Sequence, residues 1–194
     1  MEMQLDEYTT DQQTIEKTEQ LFDQAQTEEL HRKHGNQKTK EACLKIAARQ
    51  KQTLLNNADQ LQNFPGHAMQ QQVRKIAKTI DTYPPHYKAE VYLEKFKDNE
   101  EISERVFQRA KEILGQIENT QKLIGKKPSA QAGAAVYAAG ILEDDHVTKE
   151  DAIEISGVSE PTLRKSYKIM VEDLNLIEEI LDNHPYPERT MWSE

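Results

Sequence analysis

Cysteine, glycine and proline are scarce in this chain, and each shortage excludes a class of protein. The single cysteine, Cys43, rules out an internal disulfide and a zinc site built from several cysteines. Seven glycines and seven prolines, placed at expected element boundaries, argue against a loop-rich sandwich or a glycine-rich nucleotide site. No apolar run approaches the ~18 residues of a membrane span, and no secretory signal pattern is present. We therefore expect a soluble, cytoplasmic protein.

The composition that is present favours helices. Apolar residues make up 36% of the 194 residues and charged residues 30%, with a mean hydropathy of -0.86. So small an apolar fraction forms a core most readily when it is concentrated on one face of each helix, which predicts an all-α fold. The net charge of -9 has the wrong sign for a protein that coats nucleic acid non-specifically. Any contact with DNA must therefore be confined to a small part of the protein surface.

Apolar spacing predicts where the helices lie. The first twelve residues are either a frayed terminus or a short helix. Beyond them, helices are expected over about residues 14–30, 42–48, 54–61, 67–81, 86–96, 100–119 and 129–142. The segment His34–Asn36 is expected to end the first of these. The alanine-rich and glycine-rich segment 129–142 is expected to be a central, closely packed helix.

Two further helices follow, with recognisable starts. Thr148 is expected to cap the first, and Asp151 three residues later completes a capping box. Ser159 is expected to cap the second, which runs to about residue 174. Pro161 is tolerated there because the first turn of a helix has no internal partner for the missing N–H. Gly157 opens the tight turn between the two helices.

An internal repeat organises the chain. Leu163, Tyr167 and Met170 lie 94 positions after Met69, Val73 and Ile76, so the last helix matches the helix at 67–81. Chance matching of two amphipathic helices is the competing interpretation, but helix order and turn position agree as well. The segment Tyr83-Pro84-Pro85 cannot continue a helix. We predict a first unit at residues 1–84, a second at 85–182 and a tail at 183–194.

Residues 148–168 have the layout of a helix-turn-helix. Ala152 is the small residue of the first helix, while Val158 and Leu163 fix the second against it. The alternative is a plain packed hairpin with solvated charges, because the basic residues of this segment are balanced by acidic ones. In the helix-turn-helix interpretation, the side chains available for bases or phosphates are Lys149, Pro161, Thr162, Arg164, Lys165 and Lys168.

The neighbouring residues decide between these interpretations. Residues 125–142, followed by the helix-turn-helix segment, resemble the second cyclin-like repeat of the transcription factor IIB family, especially its archaeal form. The match covers about Pro85 to Leu174, and residues 92–96 and 102–114 resemble the first two helices of that repeat. In the first half, residues 42–48 resemble the central helix, with Lys45 where a tyrosine is usual.

The resemblance implies a fold and a set of partners. The fold is two five-helix cyclin-like repeats, the first truncated and the second ending in a helix-turn-helix. The partners are double-stranded promoter DNA and the TATA-binding protein. Arg164 falls where the family has its groove-reading arginine, and Pro161 where it commonly has a base-contacting valine. The family's polymerase-recruiting zinc ribbon needs four paired ligands that this sequence does not supply.

The resemblance therefore predicts a nucleoid-associated factor in promoter recognition or regulation of initiation, without polymerase recruitment through a ribbon. The alternative is a cyclin-box adaptor that binds a protein partner and no DNA, which the acidic charge favours. Lys126 and Lys127, before the start of a helix, are candidate phosphate contacts, weighed against a solvated loop.

Other chemistry is not indicated. His31, His34 and Cys43 are too loosely spaced for a metal site. Residues 125–129 lack the earlier glycine of a phosphate-binding loop, since position 120 is Thr120. No pair of carboxylates and no nucleophile with its base suggests catalysis. We therefore expect no enzyme activity, no cofactor, no metal and no small-molecule substrate.

Overall fold

The computed structural model describes residues 3–32, 35–56, 66–97, 99, 102–117, 123, 125–145, 147–176 and 180. Throughout these residues every regular element is a helix, which confirms the all-α prediction. A short 3-10 helix, Leu5–Glu7, comes first. The α-helices follow in the order α1 Gln12–Thr27, α2 Gly35–Lys51, α3 Gly66–Thr79, α4 Ala89–Lys97, α5 Glu104–Ile117, α6 Pro128–Leu142, α7 Lys149–Ser156 and α8 Glu160–Asp173.

The chain divides into two compact units, Met1–Tyr87 and Lys88–Glu194. The predicted boundary at residue 84 lies close to this division. Of the helices in the described residues, none is long and apolar enough to span a membrane.

In the first unit, α2 packs between α1 and α3. Its middle turns bury small and apolar residues, and Cys43 is fully buried among them. Burial raises the pKa of this thiol to about 12. The core formed with the neighbouring helices consists of Leu21, Ala25, Leu30, Ala42, Cys43, Ile46, Ala47, Met69 and Ile76.

In the second unit, α6 is the central helix, as predicted, and packs against α4, α5, α7 and α8. All but three of its 15 residues are buried. Its small side chains let the neighbours approach closely. A Cβ atom added at Gly140 would lie 2.6 Å from Cβ of Val147, and one added at Gly133 would lie 3.0 Å from Cδ1 of Leu163. Glycine at these positions therefore sets the spacing of the helices around α6.

The two units repeat a common spacing of helices. Helix α8 begins and ends 94 positions after α3 begins and ends, and α5 begins 92 positions after α1 begins. The paired residues Met69 and Leu163 are both buried, as are Ile76 and Met170. These agreements support the predicted duplication. The residues paired with the helix-turn-helix turn at this spacing, Ala58 and Phe64, lie outside the described residues.

One expectation for the first unit was wrong, and most of a second lies outside the described residues. The first helix ends at Thr27, because Glu29 takes a positive φ of 55° and the N–H of Leu30 turns back to the carbonyl of Ala25. Gly35, with a φ of 81°, begins α2 instead of ending α1. The expected short helix at 54–61 does not begin at Leu54. The backbone N–H of Asn56 donates to the carbonyl of Tyr8 at 2.7 Å, so this segment is bonded to residues near the N-terminus. Positions 57–61 lie outside the described residues.

Candidate nucleic-acid interface

Hydrogen bonds fix both ends of α7, the helix before the turn. At the start of α7, Oγ1 of Thr148 accepts from the N–H of Asp151 at 3.1 Å, and Oδ2 of Asp151 accepts from the N–H of Thr148 at 2.9 Å. This confirms the predicted capping box. At the end of α7, Gly157 has a φ of 63° and donates to the carbonyl of Ile153 at 3.0 Å. Glycine suits this left-handed position because it has no Cβ.

The start of α8 differs from expectation in one respect. Ser159 occupies the cap position, but its side chain makes no hydrogen bond to the helix backbone. Pro161 is the second residue of α8 and has no N–H to donate. The N–H of Thr162, the remaining donor, bonds to the carbonyl of Ser159 at 2.9 Å. The serine hydroxyl instead lies 2.9 Å from the hydroxyl of Thr162, so the predicted side-chain cap was wrong.

The inner face of α8 packs on α6 and α7. Leu163 is fully buried and reaches α6 at Gly133, which is also close to Ser156 of α7. One turn further on, the ring of Tyr167 lies 5.2 Å from the ring of Tyr137 on α6, tilted by 58°. Burial raises the pKa of Tyr167, so its hydroxyl stays neutral. These contacts hold α8 in one orientation and leave its opposite face outward.

The outward face of α8 carries most of the predicted contact residues. Pro161, Arg164, Lys165 and Lys168 recur at helical spacing opposite the buried residues, so they form one stripe. Pro161, Lys165 and Lys168 are exposed, and Arg164 is half-buried. Neither lysine has a carboxylate within ion-pair distance among the residues that the structure describes. Thr162 lies at the edge of the stripe with its hydroxyl engaged by Ser159. We call Pro161, Arg164, Lys165 and Lys168 the α8 stripe.

Lys149 is held differently from these residues. Its ammonium group lies 3.1 Å from Oε1 of Glu160 and 3.4 Å from Oε1 of Glu150. The hydrogen bond to Glu160, reinforced by both negative charges, raises the pKa of Lys149. The pair joins the starts of α7 and α8. Sequence reasoning did not identify Glu160 as a partner, because no helical spacing relates residues that lie on two different helices. A DNA phosphate that contacts Lys149 would have to replace the carboxylate of Glu160 as its partner.

Lys126 and Lys127 precede α6. Lys127 is the N-terminal cap residue of that helix and is exposed, while Lys126 is half-buried. They lie about 9 Å along the axis from Gly133, where α6 touches α8, given a rise of about 1.5 Å per residue. Their side chains have no ion-pair partner among the described residues. The two lysines therefore place positive charge directly before the N-terminus of α6.

The described residues contain no group of three or more histidine, cysteine or acidic side chains arranged to hold a metal ion. His34, weighed with His31 and Cys43 as a metal ligand, lies outside them.

Comparison with known proteins shows what the sequence of the second unit is similar to. Residues 84–173 match the family model described as the transcription factor TFIIB repeat. Transcription initiation factor IIB 1 of Thermococcus kodakarensis is 36% identical over 105 residues, which cover 53% of this chain and 35% of that protein. Transcription initiation factor IIB of Pyrococcus furiosus is 35% identical over 105 residues, with the same coverage.

A third relative extends further along the chain. Transcription initiation factor IIB 3 of Halobacterium salinarum is 27% identical over 154 residues, which cover 78% of this chain and 49% of that protein. This alignment is longer than the second unit and so reaches into the first. The chain thus spans between about a third and a half of the length of these relatives. The second unit thus matches the transcription factor TFIIB repeat, and the chain is similar to transcription initiation factors IIB over this unit and part of the first.

Proposed function

We propose that this chain is a DNA-binding protein of the transcription factor IIB type that acts in promoter recognition or regulation of transcription initiation. The observation that carries the proposal is the α8 stripe. It presents one arginine and two lysines on the outward face of the second helix of a helix-turn-helix. The start of such a helix enters a major groove in proteins that use this motif. The proposed role is non-catalytic, and the proposed location of the protein is the nucleoid.

Each side chain of the stripe has a chemistry suited to DNA. Arg164 can donate two hydrogen bonds to O6 and N7 of a guanine, the commonest specific contact in a major groove. Lys165 and Lys168 suit phosphates, which position a protein without reading sequence. Pro161 can offer only apolar contact, for example to a thymine methyl group. We therefore assign base discrimination chiefly to Arg164.

The TATA-binding protein is the proposed partner on promoter DNA. The relatives are named transcription initiation factor IIB, and the family resemblance implies this partnership. With one cysteine in 194 residues, this sequence does not supply the four paired ligands of a zinc ribbon. We therefore propose that these residues recognise the promoter and do not recruit polymerase through a ribbon.

A gel-shift titration with promoter DNA and an archaeal TATA-binding protein tests the proposal. We expect a ternary complex, and Arg164→Ala should cost about 1–3 kcal/mol of discrimination between the preferred and a mismatched sequence. Arg105→Ala is the matched control, since Arg105 is an exposed arginine on α5 that pairs with Glu143. Absence of any complex across a range of salt concentrations would refute the proposal.

A second candidate function is a cyclin-box adaptor that binds protein and no DNA. The charge of the second unit favours it, because residues 88–194 carry 14 basic and 22 acidic residues, a net charge of -8. An adaptor should bind its partner with unchanged affinity after Arg164→Ala and should not shift DNA. Co-purification of a protein partner in the absence of DNA, together with a negative gel shift, would favour this function.

A further inference from the structure

An ion pair joins the starts of the two helices of the helix-turn-helix. Nζ of Lys149 donates to Oε1 of Glu160 at 3.1 Å, and Oε1 of Glu150 lies 3.4 Å from the same ammonium group. The side chain of Glu160 is 51% exposed and that of Lys149 is 28% exposed. Both groups therefore lie at the surface, and the lysine is the more enclosed of the two. We call Lys149 and Glu160 the α7–α8 pair.

Glu160 places a negative charge beside the basic α8 stripe. It is the first residue of α8, and the charged residues that follow it up to position 168 are all basic. Negative charge is favourable in the first turn of a helix, which accounts for an acidic residue at this position. Helix stability does not require a contact with Lys149, which lies 11 positions away on another helix. Glu160 and Arg164 are four residues apart, so the carboxylate is also a surface neighbour of the stripe.

The ammonium group of Lys149 lies at a junction of three packed helices. Burial raises the pKa of Tyr137 on α6, and the positive charge of Lys149 opposes this rise, so the two groups are close. Tyr137 is buried, and its ring lies 5.2 Å from that of Tyr167 on α8. The packing of α6 with α8 therefore fixes the surroundings of Lys149. This packing keeps the ammonium group close to Glu160.

The α7–α8 pair competes with DNA for Lys149. In proteins with a helix-turn-helix, the first helix crosses the DNA backbone while the second enters the major groove. A lysine at the start of the first helix is therefore placed to contact a phosphate. Such contacts supply sequence-independent, salt-dependent affinity, because each one releases a counterion from the DNA. A lysine that stays neutralised by a carboxylate of its own protein adds nothing to that release.

We propose that Glu160 is an autoinhibitory residue of the DNA interface, whose carboxylate holds Lys149 away from backbone phosphates and so limits sequence-independent affinity. This inference rests on the proposed function, because it assumes that the chain binds DNA at all. Partly exposed ion pairs are weak and are screened by salt, so the inhibition is strongest at low ionic strength. A chain inhibited in this way gains a larger share of its affinity from base contacts, such as those assigned to Arg164.

The variant Glu160→Gln tests the proposal. Glutamine keeps the length and helix propensity of the side chain but cannot neutralise Lys149. We expect one additional phosphate contact, so the slope of log affinity against log salt should steepen by about 0.9. The ratio of the affinities at 50 and 200 mM salt should then rise about 3- to 4-fold, equally for preferred and mismatched sequences.

Glu172→Gln is the matched control. It removes the same charge from an exposed position of the same helix, about 18 Å further along the axis. A second comparison uses chains that already carry Lys149→Gln. In that background Glu160→Gln should not steepen the slope, because the lysine that it would release is missing. Far-UV circular dichroism checks that each variant is folded.

An independent measurement follows the amine of Lys149 directly. Acetylation by an amine reagent, quantified by mass spectrometry, should be faster at Lys149 in Glu160→Gln than in the unsubstituted chain. Added DNA should protect Lys149 from the reagent in Glu160→Gln. It should protect Lys149 less in the unsubstituted chain, where the carboxylate of Glu160 competes with the phosphate.

The outcomes separate this inference from the proposed function. A steeper slope in Glu160→Gln alone, absent when Lys149 is also substituted, supports the inference. Equal steepening in Glu172→Gln, or steepening that persists without Lys149, would overturn it in favour of overall charge. An unchanged or shallower slope in Glu160→Gln, with discrimination still lost in Arg164→Ala, would overturn it while the proposed function stands. No DNA binding by either the unsubstituted chain or Glu160→Gln would refute both.

Discussion

Gly140 is the residue at which the packing of the second unit can be tested most directly. In the interior of a helix, alanine is favoured over glycine by about 1 kcal/mol. Gly140→Ala would be stabilising if nothing opposed it. The added Cβ, however, would lie 2.6 Å from Cβ of Val147, well inside ordinary van der Waals contact. Overpacking of this kind costs about 1–3 kcal/mol, so we expect the variant to be destabilised by about 0–2 kcal/mol.

Gly115 on α5 provides the matched control. It is exposed and interior to its helix, and an added Cβ there would meet nothing within 4 Å. Gly115→Ala should therefore gain about 1 kcal/mol. Because the propensity term is common to both substitutions, the difference between the two variants measures the steric cost alone. We expect that difference to be about 1–3 kcal/mol.

Urea denaturation of the full chain, followed by far-UV circular dichroism, measures both variants. Addition of Val147→Ala to Gly140→Ala removes the valine methyl groups but keeps the Cβ atom that makes the closest contact. The double variant should therefore not regain the stability of the original chain. If Gly140→Ala were as stabilising as Gly115→Ala, the close approach of the Val147 segment to α6 would not exist in solution, and the reasoning would be refuted.

Three further predictions follow from the caps and the buried thiol. Cys43, the single cysteine, should react with a thiol reagent at pH 8 only as fast as the first unit opens, because burial raises its pKa to about 12; rapid labelling of the folded chain would contradict this. Asp11→Ala should lower the free energy of unfolding by about 1 kcal/mol at pH 7, since the carboxylate accepts from the N–H of Thr14 at 2.9 Å. The hydrogen bond from the Thr14 hydroxyl, with that from the N–H of Thr14, lowers the pKa of Asp11. The contribution of Asp11 should therefore be present above about pH 4 and lost as the pH falls below it, which urea denaturation at several pH values would show. Thr148→Ala should cost about 1 kcal/mol by removing the capping box, and Thr148→Ser, which keeps the hydroxyl, should cost less in the same assay.

Local signals in the sequence predicted the second unit well. The alanine-rich segment 129–142 is the buried central helix, as predicted. Its small side chains indicated this position because they allow neighbouring helices to approach closely. Thr148 and Asp151 form the predicted capping box, since both partners lie within one turn of each other in the sequence. Periodicity also located the buried residues of α8 at Leu163, Tyr167 and Met170.

The errors came from interactions that sequence spacing does not contain. The hydrogen bond from Asn56 to Tyr8 joins residues nearly fifty positions apart, and Leu54, where a short helix was expected to begin, is not helical. The ion pair between Lys149 and Glu160 joins two helices. It engages Lys149, which the sequence alone suggests is available to contact DNA. The side-chain cap at Ser159 failed for a local reason that could have been seen. A proline two residues later removes one of the two N–H groups that such a cap can bind.

The burial of α6 on nearly every side has a consequence for how the second unit exchanges with solvent. Four helices cover it, so no fraying of a single neighbour exposes more than part of its backbone. Its amide hydrogens should exchange with deuterated water only when the whole unit unfolds, whereas those of short, peripheral α7 should exchange through smaller openings. The exchange rates of the α6 amides would then report the global stability of the unit. The difference between the exchange rates of the α6 and α7 amides would report how far the helix-turn-helix can open locally while the core of the unit stays folded.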